Sequence, residues 1–170
     1  AISPGGVGYD INCGVRLLKS PISHQEIAPQ LPTIIESLFN HIPSGLGSKG
    51  KLQITPNDLD RVLDEGVNWA IDKGYGFDED RKNLEDNGFT EGSDSSLVSK
   101  RAKNRGIRQL GSLGSGNHFI EIQKVDQIYN EKIAKTIGIE KDQVTLMIHT
   151  GSRAMGHQIC TDALQEIDHM

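Results

Sequence analysis

Residues 118–125 read HFIEIQKV and residues 143–149 read QVTLMIH. In the first, apolar and polar side chains alternate with the two-residue period of a strand. The second is an apolar run that ends at His149 and reads as a buried strand. Consecutive strands that pair antiparallel set the start of one beside the end of the other. His118 opens the first and His149 closes the second, so this pairing would bring two imidazoles together at one edge of a sheet.

Both histidines border glycine-rich turns. Gly114-Ser115-Gly116-Asn117 precedes His118, and Thr150-Gly151-Ser152 follows His149 and leads into a last amphipathic helix that is expected to run to Met170. Upstream, VRLLKS from Val15 is a short strand. LPTIIESLFNHI, residues 31–42, is helical, with Pro32 tolerated in its first turn. PSGLGSKG, residues 43–50, is a glycine-serine loop with the composition of a flexible lid. KLQI is a brief strand, and Thr55-Pro56-Asn57-Asp58 announces a helix. Leu59, Val62, Leu63, Val67, Ala70 and Ile71 keep helical spacing until Gly74 ends the run. Residues 75–94 form an acidic, weakly patterned loop or broken helix. SSLVSKRAKNRG from Ser95 is a helix, and another runs roughly from Asp126 to Ile137. The class is α+β, a mixed, largely antiparallel sheet packed with helices. At 170 residues the chain can bury one core, and with only 5% aromatics that core rests on Ile, Leu and Val.

Near the start lies GVGYDINCGVR, residues 6–16, where a thiol follows a carboxylate by three positions among glycines. Asp10, Cys13, His118 and His149 are therefore candidate metal ligands, each beside a turn or a strand end where sites gather. Taken singly, such an Asp is usually an Asx cap, such a Cys a small hydrophobe and such a His a hydrogen-bonded structural residue. By softness the set suggests zinc. His24, His41, His157 and His169 read as surface or helix histidines. Two cysteines far apart, with no signal-like start, favour a reducing, cytoplasmic setting, and no apolar run is long enough to cross a membrane. The net charge of −5 excludes a general polycation for nucleic acid. Locally, five cations fall between Lys100 and Arg108 without an acid, which suits a phosphate contact. Arg153 follows a turn whose amides could hold an anion at the start of the last helix.

Four motifs in order, SPGGVGYDINCGVRLL, PSGLGSKG, LGSLGSGNHFIEIQ and IHTGSRAMGHQ, resemble the RtcB family of RNA ligases, the tRNA-splicing ligases. The resemblance runs through nearly the whole chain, which is read as a partial RtcB-like catalytic domain over residues 1–170, about a third of the family's usual length. It implies joining of an RNA 3′-phosphate or 2′,3′-cyclic phosphate end to a 5′-hydroxyl end, with GTP and two manganese ions. A histidine becomes guanylylated, the GMP passes to the RNA 3′-phosphate, and the 5′-hydroxyl displaces it. Carried onto this sequence, Asp10, Cys13 and His118 match ligands of one manganese, and Cys13 and His149 match ligands of the second, with the thiolate bridging. Asn117, His118, Phe119, Ile120 and Glu121 match the GTP contact segment, and Arg105 and Arg153 are candidates for RNA phosphates. The guanylylated histidine would lie beyond Met170, so no catalytic histidine is assigned here and these residues alone would not ligate. The resemblance overrules zinc in favour of manganese. Two rivals remain, a binuclear metal-dependent phosphoesterase and a non-catalytic fragment with exposed apolar surface.

Overall fold

A computed structural model of the chain describes residues 5–6 and 8–169. Among these the order is β1 (Cys13–Ser23), α1 (His24–Ile27), α2 (Leu31–His41), α3 (Pro56–Glu65), α4 (Val67–Asp72), α5 (Lys100–Gly106), β2 (Phe119–Lys124), α6 (Glu131–Ile137), β3 (Gln143–Gly151) and α7 (Arg153–Asp168). Short 3-10 turns occupy Asp78–Asn83, Glu85–Gly88 and Ser95–Leu97. The α+β class holds, and the sheet is antiparallel throughout, with β3 between β1 and β2.

Contacts divide the chain into two compact units. The first gathers residues 1–9, 52–110 and 154–170. Its core is built on Leu59, Trp69, Ala102 and Cys160, with Gln158 buried among them. Thr55 caps α3 by accepting from the Asp58 N–H, while the Asp58 carboxylate accepts from the Thr55 N–H and hydroxyl. The single helix expected from Leu59 to Ile71 is interrupted at Gly66, whose φ of 58° and ψ of −131° are open to glycine and hostile to other residues. An added Cβ there would overlap the Gly88 carbonyl oxygen, so the break is held by a close backbone approach. The helix expected from Ser95 is confined to α5, where the Ser99 hydroxyl accepts from the Ala102 N–H and sets the start.

The second unit spans Asp10–Lys51 and Gly111–Arg153 and contains the whole sheet. Pairing is Phe119↔His149, Ile120↔Ile148 and Ile122↔Leu146 on one side of β3, and Cys13↔Gly151, Val15↔His149 and Leu18↔Leu146 on the other. Side chains alternate between faces. One face carries Leu18, Leu146, Ile148, Ile120 and Ile122, and the latter two line, with Leu31, Ile35, Leu38 and Phe39 of α2, an open groove of about 440 Å³. The other carries Cys13, Val15, His149, Phe119, Leu17 and Met147.

KLQI is not a strand, since residues 51–54 pair with nothing in the sheet. The helix expected from Asp126 begins later, at Glu131, because the Asn130 side chain accepts from the Ile133 N–H and fixes the start there. β3 runs two residues past His149, and α7 ends at Asp168. The strand read as buried is so only at Val144 and Thr145. Val15, Leu17 and Leu18 of β1 remain about half exposed, and Phe39 is 77% exposed.

Candidate metal centre

The candidate ligands converge because of the strand register. Cys13 lies opposite Gly151, so His149 is its diagonal neighbour on the same face. Diagonal Cα atoms are about 7–8 Å apart, a gap that a histidine side chain can cross. The Cys13 Sγ accordingly sits 3.0 Å from His149 Nε2. Phe119 lies opposite His149 and packs its ring edge-on, with centroids 5.2 Å apart, which fixes the imidazole. His118, one residue before β2, then falls at the same end of the sheet, with its Nε2 3.8 Å from Cys13 Sγ and 2.9 Å from Asp10 Oδ2. The ligand atoms of Asp10, Cys13 and His118 all lie within 4.8 Å of one another. His149 joins through the thiol.

Asp10 is tied by its other oxygen. The Ser152 hydroxyl and N–H donate to Oδ1 at 2.6 and 2.9 Å. Partial burial pushes the Asp10 carboxyl upward, but the Ser152 hydroxyl, the Ser152 N–H and then His118 outweigh it, and the group sits below the ordinary carboxylate range. The amide expected to meet an outside anion is thus taken up by an internal one and by the Asn12 carbonyl at 3.0 Å.

Chemically the cluster offers a carboxylate oxygen, a thiol sulfur and imidazole nitrogens. In a tetrahedral site with metal–sulfur and metal–nitrogen bonds of about 2.3 and 2.05 Å, sulfur and nitrogen would stand about 3.5 Å apart. The 3.8 Å between Cys13 and His118 suits a shared ion, whereas the 2.9 Å between Asp10 and His118 is a hydrogen-bond distance.

The remaining candidates are distributed unevenly. Asn117 Nδ2 approaches the Cys13 sulfur at 3.6 Å. By strand alternation Phe119 and Glu121 fall on the His149 face of the sheet and Ile120 on the other, so residues 117–121 do not present one continuous side-chain surface. Arg153, at a φ of 55°, directs its guanidinium to Ser112 Oγ at 3.3 Å, and to Gly45 O and Ser48 Oγ at 3.5 Å. It therefore ties down the loop read as a lid, which also bonds from Gly45 N–H to the Gly114 carbonyl at 2.6 Å. Arg105 belongs to the other unit and donates to the buried Gln158 at 2.8 Å. Sequence reasoning missed Ser152, Gly114 and Gly151 as supports of the cluster; Ser152 and Gly151 meet Asp10 only through the β1–β3 register, while Gly114 packs against His118 within one loop.

An α+β unit that gathers a carboxylate, a thiol and two imidazoles at one sheet end has a matching family. The family model described as tRNA-splicing ligase RtcB matches residues 1–170. Relatives named tRNA-splicing ligase RtcB include one from Methanococcus maripaludis, 54% identical over 98% of this chain and 35% of its own length. Another, from Thermococcus kodakarensis, is 53% identical over 96% of this chain and 34% of its own. A third, from Archaeoglobus fulgidus, is 50% identical over 98% and 35%. The chain belongs to the RtcB family, and it spans about a third of the length of these relatives.

Proposed function

We propose that these residues form the metal-binding portion of a GTP- and manganese-dependent RNA ligase that joins 3′-phosphate or 2′,3′-cyclic phosphate ends to 5′-hydroxyl ends, with tRNA halves as substrates. The observation that carries the reading is the convergence of Asp10, Cys13 and His118, with His149 on the same thiol. Cys13 would be the ligand common to both ions, since its sulfur lies 3.8 Å from His118 Nε2 and 3.0 Å, a hydrogen-bond distance, from His149 Nε2. Bound there, two manganese ions would offset phosphate charge and lower the pKa of a nucleophile. Asp10 enters the pair already ionised, held so by Ser152. Residues 117–121 would meet GTP mainly through backbone and through Asn117, Phe119 and Glu121, given that Ile120 falls on the opposite face of the sheet.

Arg153 is the better phosphate candidate of the two arginines, since it stands in the same unit as the metal ligands and its bonds of 3.3–3.5 Å hold it less tightly than the 2.8 Å bond from Arg105 to Gln158. The nucleotide-accepting histidine belongs to the part of the family's length that these residues do not span. Cys13 and Cys160 are not joined in a disulfide, which suits a reducing cytoplasm, and no helix among the described residues is long and apolar enough to cross a membrane.

Anaerobic manganese titration of the chain and of Cys13→Ala tests the site, with binding expected in the first and lost in the second. Equal binding in both would remove the thiol from the ligand set. Label transfer from GTP onto protein, in a full-length relative carrying the matching substitution, separates a ligase from a phosphoesterase that uses the same ligands.

A further inference from the structure

We propose that Ser152 is a positioning residue for this centre, fixing Asp10 and, through Asp10, His118; the inference rests on the metal-centre reading above. Three observations carry it. Both Ser152 donors converge on Oδ1, which leaves Oδ2 turned toward His118 Nε2 at 2.9 Å. The terminal torsion of an aspartate is broad and would otherwise let the two oxygens trade places. The carboxylate also lies flat against Gly151, where an added Cβ would overlap Oδ2 and stand 2.6 Å from Oδ1.

The third observation concerns the far side of His118. A metal-bound histidine usually donates its other ring N–H to a carbonyl or carboxylate, and that bond fixes its orientation. Here Nδ1 is buried with no hydrogen-bond partner in the protein, and the side chain is only 6% exposed. The nitrogen lies instead against Gly114, where an added Cβ would overlap it. His118 therefore has packing behind it and, in front, the Asp10 carboxylate at 2.9 Å as the nearer of two polar partners, the other being the Cys13 sulfur at 3.8 Å. The hydroxyl of Ser152 is the one removable group that sets that carboxylate. One serine thus orients two ligands of the centre.

The test is a Co²⁺ titration of the full chain, in which thiolate-to-cobalt absorption reports Cys13 and the binding curve reports affinity. Ser152→Ala is expected to weaken Co²⁺ binding about 10- to 100-fold while keeping the thiolate band. Ser152→Thr, which retains the hydroxyl, is expected to bind like the parent. In an Asp10→Ala background Ser152→Ala should cost nothing further, because the two residues act as one unit. Parent-like binding in Ser152→Ala, or an equal loss in the Asp10→Ala background, overturns the positioning role. Should Ser152→Ala not fold, parent-like binding by Ser152→Thr supports the role of the hydroxyl, and a loss in folded Ser152→Thr overturns it. Absence of a thiolate band in the parent chain overturns the metal-centre reading itself, which is a separate result.

Discussion

Replacing Gly151 with alanine should damage both the fold and the centre, by an amount the geometry sets. The new methyl would stand 2.6 Å from Asp10 Oδ1 and 2.7 Å from the Asn12 carbonyl oxygen, and would overlap Oδ2. Ordinary contact begins at 3.4 Å, so the backbone oxygen alone is 0.7 Å too close. The carboxylate can swing away, but only by giving up both Ser152 donors and His118. Water replaces part of that loss, leaving about 1–2 kcal/mol. The Asn12 carbonyl cannot retreat so easily, since it accepts from the Ser152 N–H at 3.0 Å next to the paired Cys13, and such overpacking costs about 1–3 kcal/mol. Together the two come to about 3 kcal/mol, which for a chain of this size lowers the melting midpoint by roughly 6–12 °C. Metal affinity should fall at least tenfold, since Asp10 leaves its place. Gly116→Ala is the control, as nothing lies within 4 Å of its Cβ position and only its φ of 73° opposes the change, at about 1 kcal/mol. Circular dichroism melts and anaerobic manganese calorimetry read both quantities. A Gly151→Ala chain that melts and binds like the parent would show that the carboxylate does not rest on Gly151.

Three further outcomes can be checked directly. Gly66→Ala should lower stability by about 3 kcal/mol or more, from the glycine-only backbone and the overlap with Gly88; urea unfolding followed by the fluorescence of Trp69, the chain's one tryptophan and 3% exposed, reads it, and an unchanged midpoint refutes it. Asp58 is held far below the usual carboxylate range by the Thr55 N–H, the Thr55 hydroxyl and Lys73, so its contribution is present above its ordinary pKa and is lost as pH falls toward the depressed value; Asp58→Asn should flatten the loss of stability between about pH 4 and pH 2, and an unaltered acid profile counts against the cap. Manganese at a hundred times its dissociation constant should stabilise the chain by about 2.7 kcal/mol, seen as a higher melting midpoint that is absent in Cys13→Ala; an equal rise in both variants would place the ion elsewhere.

What was legible in the sequence followed the range of the interaction. Residues 118–125 and 143–149 supply two consecutive strands, so the sequence could offer their antiparallel pairing as one arrangement, and the Phe119↔His149 register is what sets it. The Thr55 cap was legible because its partner Asp58 is three residues away. The break at Gly66 was not, because the apolar spacing passes smoothly across it and the cause is the distant Gly88 carbonyl. KLQI has the look of a strand, but a strand needs a partner and none reaches it. At the site, the residue types of all four candidate ligands could be read, whereas their meeting depends on a β1–β3 register that joins residues 136 positions apart. Arg105 looked like a free cation within a basic run, and only the buried Gln158 shows where its guanidinium is spent.

The charge pattern around the centre bears on the proposed binding of metal ions and phosphate by these groups. Asp10 is kept ionised chiefly by a neutral serine rather than by a lysine or arginine, so its negative charge is not cancelled from within the protein. A Cys13 thiolate would add a second negative charge beside it, and two such ligands repel each other unless a divalent cation lies between them. Arg153 shows the complementary arrangement. Its guanidinium donates to Ser112, Gly45 and Ser48, all of them neutral oxygens at 3.3–3.5 Å, and these long bonds position the charge without neutralising it. A carboxylate partner would have locked that arginine in a closed ion pair. Neutral hydrogen bonds on both sides therefore leave the Asp10 carboxylate and the Arg153 guanidinium uncancelled within one unit, which is the division of charge that the proposed activation of phosphate by metal ions would use.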